Sequence, residues 1–296
     1  MKTILVPTDF SRNARNAIRF ALDLSRELNA RLLLYHVYQV SVPVAEVPMV
    51  VLPDFEIDRI NRKKMDALVR DIRKKADGAV EVDGLIGQGT TVIRIANFIK
   101  KENIDLVVMG TRGANSVLDR LLGTNTAALM KQASCPVLAV PANAKFQGFR
   151  QILYASDHST QEAVFSSFLL DLARKSEAEL VVLNVKKDHQ SNVGNEIEVP
   201  VQIRANYPYD RYKFVSIVED NPGRGIDGFV RKSKPQLIAV TVRKRALVES
   251  FFHRSIINHL AYNLPVPLLA LPEEKIQEKD RLAEQEPESL ADYILG

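Results

Sequence analysis

A single cysteine, Cys135, among 296 residues excludes a disulfide framework and fits a reducing compartment. It lies in the apolar run Ser134–Val140, where a buried structural thiol is expected. Tryptophan is absent, and the five histidines lack the paired spacing of a zinc site, so a metal-hydrolase reading has no support. The most apolar stretch, Val40 to Leu52, is broken by Pro43 and Pro48 and is too short to span a bilayer. From Met1 and Lys2 the chain runs directly into the strand-like Thr3–Pro7, without the pattern of a signal peptide. A cytoplasmic protein with no membrane partner is expected. Two common nucleotide motifs are missing as well: no G-x-x-x-x-G-K-[ST] occurs, and no G-x-G-x-x-G follows the first strand.

What is present is an ordinary globular balance, with 46% hydrophobic and 26% charged residues, long enough for two domains that each bury a full core. The net charge of +4 is unevenly placed. Residues 1–272 hold 37 bases and 28 acids, whereas residues 273–296 hold 3 and 8, so a body of +9 carries a tail of −5. The bases are spread over helical segments such as Arg59–Lys75 rather than gathered in a patch, which disfavours nucleic acid as a partner.

Short apolar runs alternate with amphipathic, helix-length segments, the pattern of βα units on a parallel sheet. In the first half the runs are Thr3–Pro7, Arg31–Val37, Val82–Gly87, Asp105–Gly110 and Pro136–Pro141, mostly continuous in apolar character, as strands covered on both faces should be. Ser11 is placed to cap a first helix with Ala14, Ala17, Ile18, Ala21, Leu22 and Leu28 on its inner face. Further helices are expected over 54–76, 91–101 and 125–132.

The same unit occurs twice. Lys2–Val37 lies over Arg150–Val185 without a gap at an offset of 148, half the chain length, with Ile4, Leu5, Asp9, Ser11, Leu22, Asp23, Leu24, Ala30 and Val37 each meeting the same residue type. Later, Asp105–Pro141 lies over Gln236–Pro272 at an offset of 131. The second copy has therefore lost 17 residues between its second and third strands, where Glu196–Ala205 reads as a short extended segment rather than a helix. Domains are expected over 1–145 and 149–272, followed by an acidic tail over 273–296 with a frayed helix from Glu278 to Leu295. The final apolar strand of each copy is a natural pairing edge, so the two copies are expected to pair within the chain in a pseudo-two-fold arrangement, and a further homodimer remains open.

In such sheets ligands bind beyond the carboxyl ends of the strands where the winding reverses, here strands one and four. Pro7, Thr8 and Asp9 follow the first. After the fourth come Gly110, Gly113 and Gly123, spaced by two and by nine residues, and then Thr124 and Asn125 at the start of a helix. Glycines that let backbone amides converge, a hydroxyl and a helix N-terminus together describe a phosphate loop. Arg112 and Arg120 lie in the same segment as candidate counter-charges. His36 reads as a strand-end hydrogen-bonding residue rather than a catalyst.

The spaced glycines with Thr124, together with Pro7, Asp9, His36-Val37, Val108–Gly113, Asp119–Thr124 and Cys135–Pro141, resemble the universal stress protein family in its ATP-binding branch. The resemblance covers both copies. It implies two tandem, doubly wound, Rossmann-like α/β sheets of five parallel strands in the order 3-2-1-4-5. It also implies ATP, with Mg2+ on its phosphates, as the cofactor: Pro7, Asp9 and Val37 would hold the adenosine part, Met109 and Gly110 would lie against ribose and phosphates, and Gly113, Gly123, Thr124 and Asn125 would surround the triphosphate. A stress-response or regulatory role follows; the alternatives are a nucleotide-free interaction module and a slow ATPase. No general base or nucleophile stands out beyond Asp9. In the second copy Thr241, Lys244 and Arg254 replace the three glycines and Ala155 replaces Pro7, while Asp157 and Ser255 persist, so no ATP in the usual pose is expected there.

Overall fold

The structure, a computed structural model, describes residues 2–39, 54–111, 123–156, 167–186, 209–242 and 266–272. The first half comprises β1 (Lys2–Pro7), α1 (Arg12–Leu28), β2 (Ala30–Tyr38), α2 (Asp54–Ala76), β3 (Val82–Gln88), α3 (Thr91–Lys101), β4 (Leu106–Gly110), α4 (Thr124–Gln132) and β5 (Val137–Val140). The second comprises β6 (Gln151–Ala155), α5 (Ser167–Lys175), β7 (Glu179–Lys186), β8 (Tyr212–Val218), α6 (Pro222–Ser233), β9 (Leu237–Val242) and β10 (Leu268–Pro272).

All ten strands form one sheet in the order β3-β2-β1-β4-β5-β10-β9-β6-β7-β8. Each half is the expected parallel 3-2-1-4-5 arrangement. The halves meet at β5 and β10, which run antiparallel with Leu268 opposite Ala139 and Ala270 opposite Val137. The two strands that would otherwise expose apolar edges cover one another, and the free edges among the described residues are β3 and β8.

The strands are apolar on both faces because helices cover both. Ile4, Val6, Leu32, Leu34 and Val108 pack under α1 and α2, and Leu5, Leu33, Val107 and Met109 pack under α3 and α4. α1 starts where the Ser11 hydroxyl accepts the Ala14 amide at 3.2 Å and ends at Asn29, whose left-handed φ of 52° stops the helix.

The join is also fastened beside the sheet. Asn16 donates to the carbonyls of Pro141 and Ala144, both at 3.0 Å, while Phe146 packs edge-on against Phe20 and Phe149. Lys175 donates to the Leu28 carbonyl at 2.9 Å, Ser176 donates to the Glu27 carboxylate, and Lys2 pairs with Asp171 at 3.2 Å.

The register refines the expected deletion. The offset between the halves falls from 148 at β1/β6 to 130 where β3 and β8 pair with their neighbours, then becomes 131 at the helix caps Thr90 and Asn221. The 17-residue difference is thus 18 residues lost between strands and one gained before α6. The segments 196–205 and 273–296 lie outside the described residues. No helix among the described residues is long and apolar enough to cross a membrane.

Candidate functional site

The candidate site lies beyond the carboxyl ends of β1, β2 and β4. β1 ends at Pro7, opposite Tyr35 in the parallel ladder, and the Thr8 amide continues that ladder to the Tyr35 carbonyl at 2.9 Å. The next residues turn sharply: the Thr8 hydroxyl accepts the Phe10 amide at 3.1 Å, and Asp9 Oδ1 accepts the Ser11 amide at 3.0 Å. Phe10 sits at φ 62°, a left-handed conformation that a bulky side chain adopts only when its surroundings enforce it. Pro7 and Thr8 are buried, whereas Asp9 is exposed at the lip.

His36 touches this turn at two points. Its Nδ1 lies 2.7 Å from the Thr8 carbonyl oxygen, and its ring centroid is 4.5 Å from that of Phe10. A carbonyl only accepts, so Nδ1 carries the proton. Burial pushes the His36 imidazole below its ordinary pKa of 6.5, a shift opposed by the Thr8 bond and by Asp9 and assisted by Lys64. The expectation of a strand-end hydrogen-bonding histidine holds. On the same side Tyr38 donates to Asp58 at 3.0 Å, and burial followed by that carboxylate raises its phenol. Asp58 is held low, first by its bond from Arg62 and then by Tyr38.

Across the site, β4 ends at Gly110, and Met109 beside it is 8% exposed, as is Val37 on β2. The chain leaves and returns at one point. Thr111 donates to the Val140 carbonyl at 3.0 Å, and its own carbonyl accepts the Gly123 amide at 2.6 Å. The Thr126 hydroxyl donates to the Gly110 carbonyl at 3.0 Å. These bonds seat the N-terminus of α4 against the end of β4. α4 begins at Thr124, one residue earlier than expected, with Gly123 as its cap, and its first helical bond runs from Ala127 to the Gly123 carbonyl at 2.9 Å. Gly123 brings no side-chain acceptor to the first turn, whose amides point out of the helix beside the exposed Thr124 and Asn125.

The structure therefore brings Pro7, Thr8, Asp9, Val37, Met109, Gly110, Gly123, Thr124 and Asn125 to the strand-end region of the first half. Arg112, Gly113 and Arg120 lie outside the described residues. Phe10, Thr111 and Thr126 were not singled out from sequence. Only the Phe10 position, next to Thr8 and Asp9, carried a signal.

In the second half the corresponding strand ends carry a tyrosine and a threonine. The Tyr154 and Thr241 hydroxyls lie 2.9 Å apart and join the paired strands β6 and β9 at positions where the first half has Val6 and Gly110. Lys244, Arg254 and Ser255 lie outside the described residues, as does Asp157. Cys135 is 7% exposed, and burial pushes its thiol up to about 12, so it is an inert core residue.

The fold defines a class: a tandem, doubly wound α/β protein whose two halves share one ten-stranded sheet. Residues 1–141 match the family model described as "Universal stress protein family". A universal stress protein of Thermus aquaticus is 34% identical over 139 residues, which are 47% of this chain and 98% of that protein. Universal stress protein A homolog 1 of Coxiella burnetii is 33% identical over 144 residues, 47% of this chain and 95% of that one. The chain belongs to the universal stress protein family. Its two-copy architecture matches a solved universal stress protein from Archaeoglobus fulgidus, with a TM-score of 0.70 at 17% identity over 92% of this chain and 98% of that one. A functionally unknown protein from Pseudomonas aeruginosa aligns with a TM-score of 0.60 at 15% identity over 97% and 98%.

Proposed function

We propose that the first half binds one adenine nucleotide, ATP with Mg2+ on its phosphates, and that the chain serves as a nucleotide-dependent stress-response protein rather than an enzyme. The domain division we adopt is 1–145 for the nucleotide-binding unit, 149–272 for a partner unit, and 273–296 for an acidic tail. The supporting observation is the closure of the segment after β4: the Gly123 amide meets the Thr111 carbonyl, so Gly110, Gly123 and the start of α4 come together at the end of β4, the strand paired with β1.

The residues present suit the ligand. Val37 and Met109 offer apolar surface to a base and sugar, Asp9 offers a carboxylate to hydroxyl or amino groups, and Thr124, Asn125 and the first-turn amides of α4 offer donors to phosphate oxygens. Arg112 and Gly113 complete the loop in sequence. Binding is assigned to the first half alone because the second has Thr241, Lys244 and Arg254 at the three glycine positions, and the Thr241 hydroxyl bonds that of Tyr154.

The test is to purify the full chain, extract any bound nucleotide with acid and identify it by chromatography, then titrate the stripped chain with ATP by calorimetry. Saturable ATP binding that Gly113→Lys abolishes supports the reading. Absence of binding by the unsubstituted chain refutes it, and rapid turnover would shift the assignment to an ATPase.

A further inference from the structure

Resting on that reading of the site, we infer that His36 is a positioning residue: it clamps the turn Thr8–Phe10 from behind and thereby sets where Pro7 and Asp9 stand toward the nucleotide. Two contacts on either side of Asp9 carry this. His36 Nδ1 donates to the Thr8 carbonyl at 2.7 Å, and its ring packs at a 46° tilt against that of Phe10, which sits at φ 62°. A peptide plane tied at its carbonyl and a residue wedged in the left-handed region leave Asp9 between them little freedom to rotate.

The second half supplies an independent observation. Position 184, equivalent to 36, is Asn, and its Nδ2 donates to the carbonyl of Ser156, the residue equivalent to Thr8, at 3.3 Å. The Ser156 amide bonds the Leu183 carbonyl at 2.9 Å, as Thr8 bonds Tyr35. The same carbonyl is therefore held from the same strand position by two chemically different side chains. What the position requires is a donor of that reach, and neither charge nor imidazole basicity. His36 meets it only with the proton on Nδ1.

This requirement separates positioning from general packing. His36→Asn places the second half's own donor at the site, whereas His36→Leu fills the space without a donor. Each full-length variant is titrated with ATP, and amide exchange is followed over residues 8–14 in the ligand-free chain, where the Thr8, Phe10 and Ser11 amides report the turn. His36→Leu is expected to weaken ATP binding about tenfold and to speed exchange of those amides by about the same factor, the scale of one lost hydrogen bond. His36→Asn is expected to stay within about threefold of the unsubstituted chain in both, as one hydrogen bond replaces another. Equal losses in Asn and Leu, or no loss in Leu, overturn the inference. If the unsubstituted chain binds no ATP, the nucleotide reading falls, and unchanged exchange in His36→Leu would then overturn the clamp as well.

Discussion

Among the described residues the strands of the two halves repeat equivalent bonds, whereas the residues at the carboxyl ends of β1 and β4 differ from those of β6 and β9. The Thr3 amide donates to the Asp105 carboxylate at 2.7 Å, and the amide of its counterpart Gln151 donates to the Gln236 side-chain oxygen at 2.8 Å. Gly89 donates to the Tyr38 carbonyl at 2.9 Å, and Glu219 donates to the Lys186 carbonyl at 2.9 Å. Val107 bonds Pro136 at 2.9 Å, and Ile238 bonds Pro267 at 3.0 Å. Against this uniform scaffold, Val6 becomes Tyr154, Pro7 becomes Ala155 and Gly110 becomes Thr241. The ladder is thus kept while the strand-end side chains change, so the residues that shape the sheet and those proposed for the nucleotide are separable.

The largest effect expected tests the shared scaffold. Leu5 and Leu153 are equivalent and each 0% exposed, so Leu5→Ala and Leu153→Ala should each destabilise the chain by about 2–5 kcal/mol in denaturant titrations. A large inequality would mean that the two cores are not alike. Next, Gly110→Thr copies the second half into the first and should weaken ATP binding at least about tenfold, read by calorimetry, with little change in melting temperature.

Acid should distinguish the halves more gently. His36 is held below 6.5 in the fold, so as pH falls below 6.5 the unfolded chain takes up a proton before the folded chain does. Stability contributed by neutral His36 is present above that pH and is lost as pH falls toward the folded value. His36→Asn should flatten this slope in pH-dependent denaturant titrations, because Asn, like Asn184 in the other half, does not titrate. The smallest effect concerns Cys135, whose thiol, pushed up to about 12, should stay unmodified by thiol reagents at pH 8 until the chain unfolds.

Much of this was legible in the sequence because it depends on local pattern. Continuous apolar runs located the strands, α2 and α3 fall on the expected residues, and the repeat together with the apolar last strands foretold the β5–β10 join. The less legible features arise from residues distant in sequence. The Thr126 bond to Gly110 spans a loop, and the Tyr154–Thr241 contact joins positions 87 apart. The left-handed Phe10 packs against His36 of the neighbouring strand. The single residue gained before α6 was hidden because sequence matching sees only the net offset. The 112–122 segment, with Arg112 and Gly113, lies outside the described residues, so the loop's interior rests on its sequence spacing.

Calorimetric stoichiometry of ATP on the full, nucleotide-stripped chain tests the central asymmetry most directly. One ATP per chain is expected, lost in Gly110→Thr and kept when Thr241 is replaced by Val. Two sites per chain, or a single site abolished by the Thr241 replacement and untouched by Gly110→Thr, would contradict it.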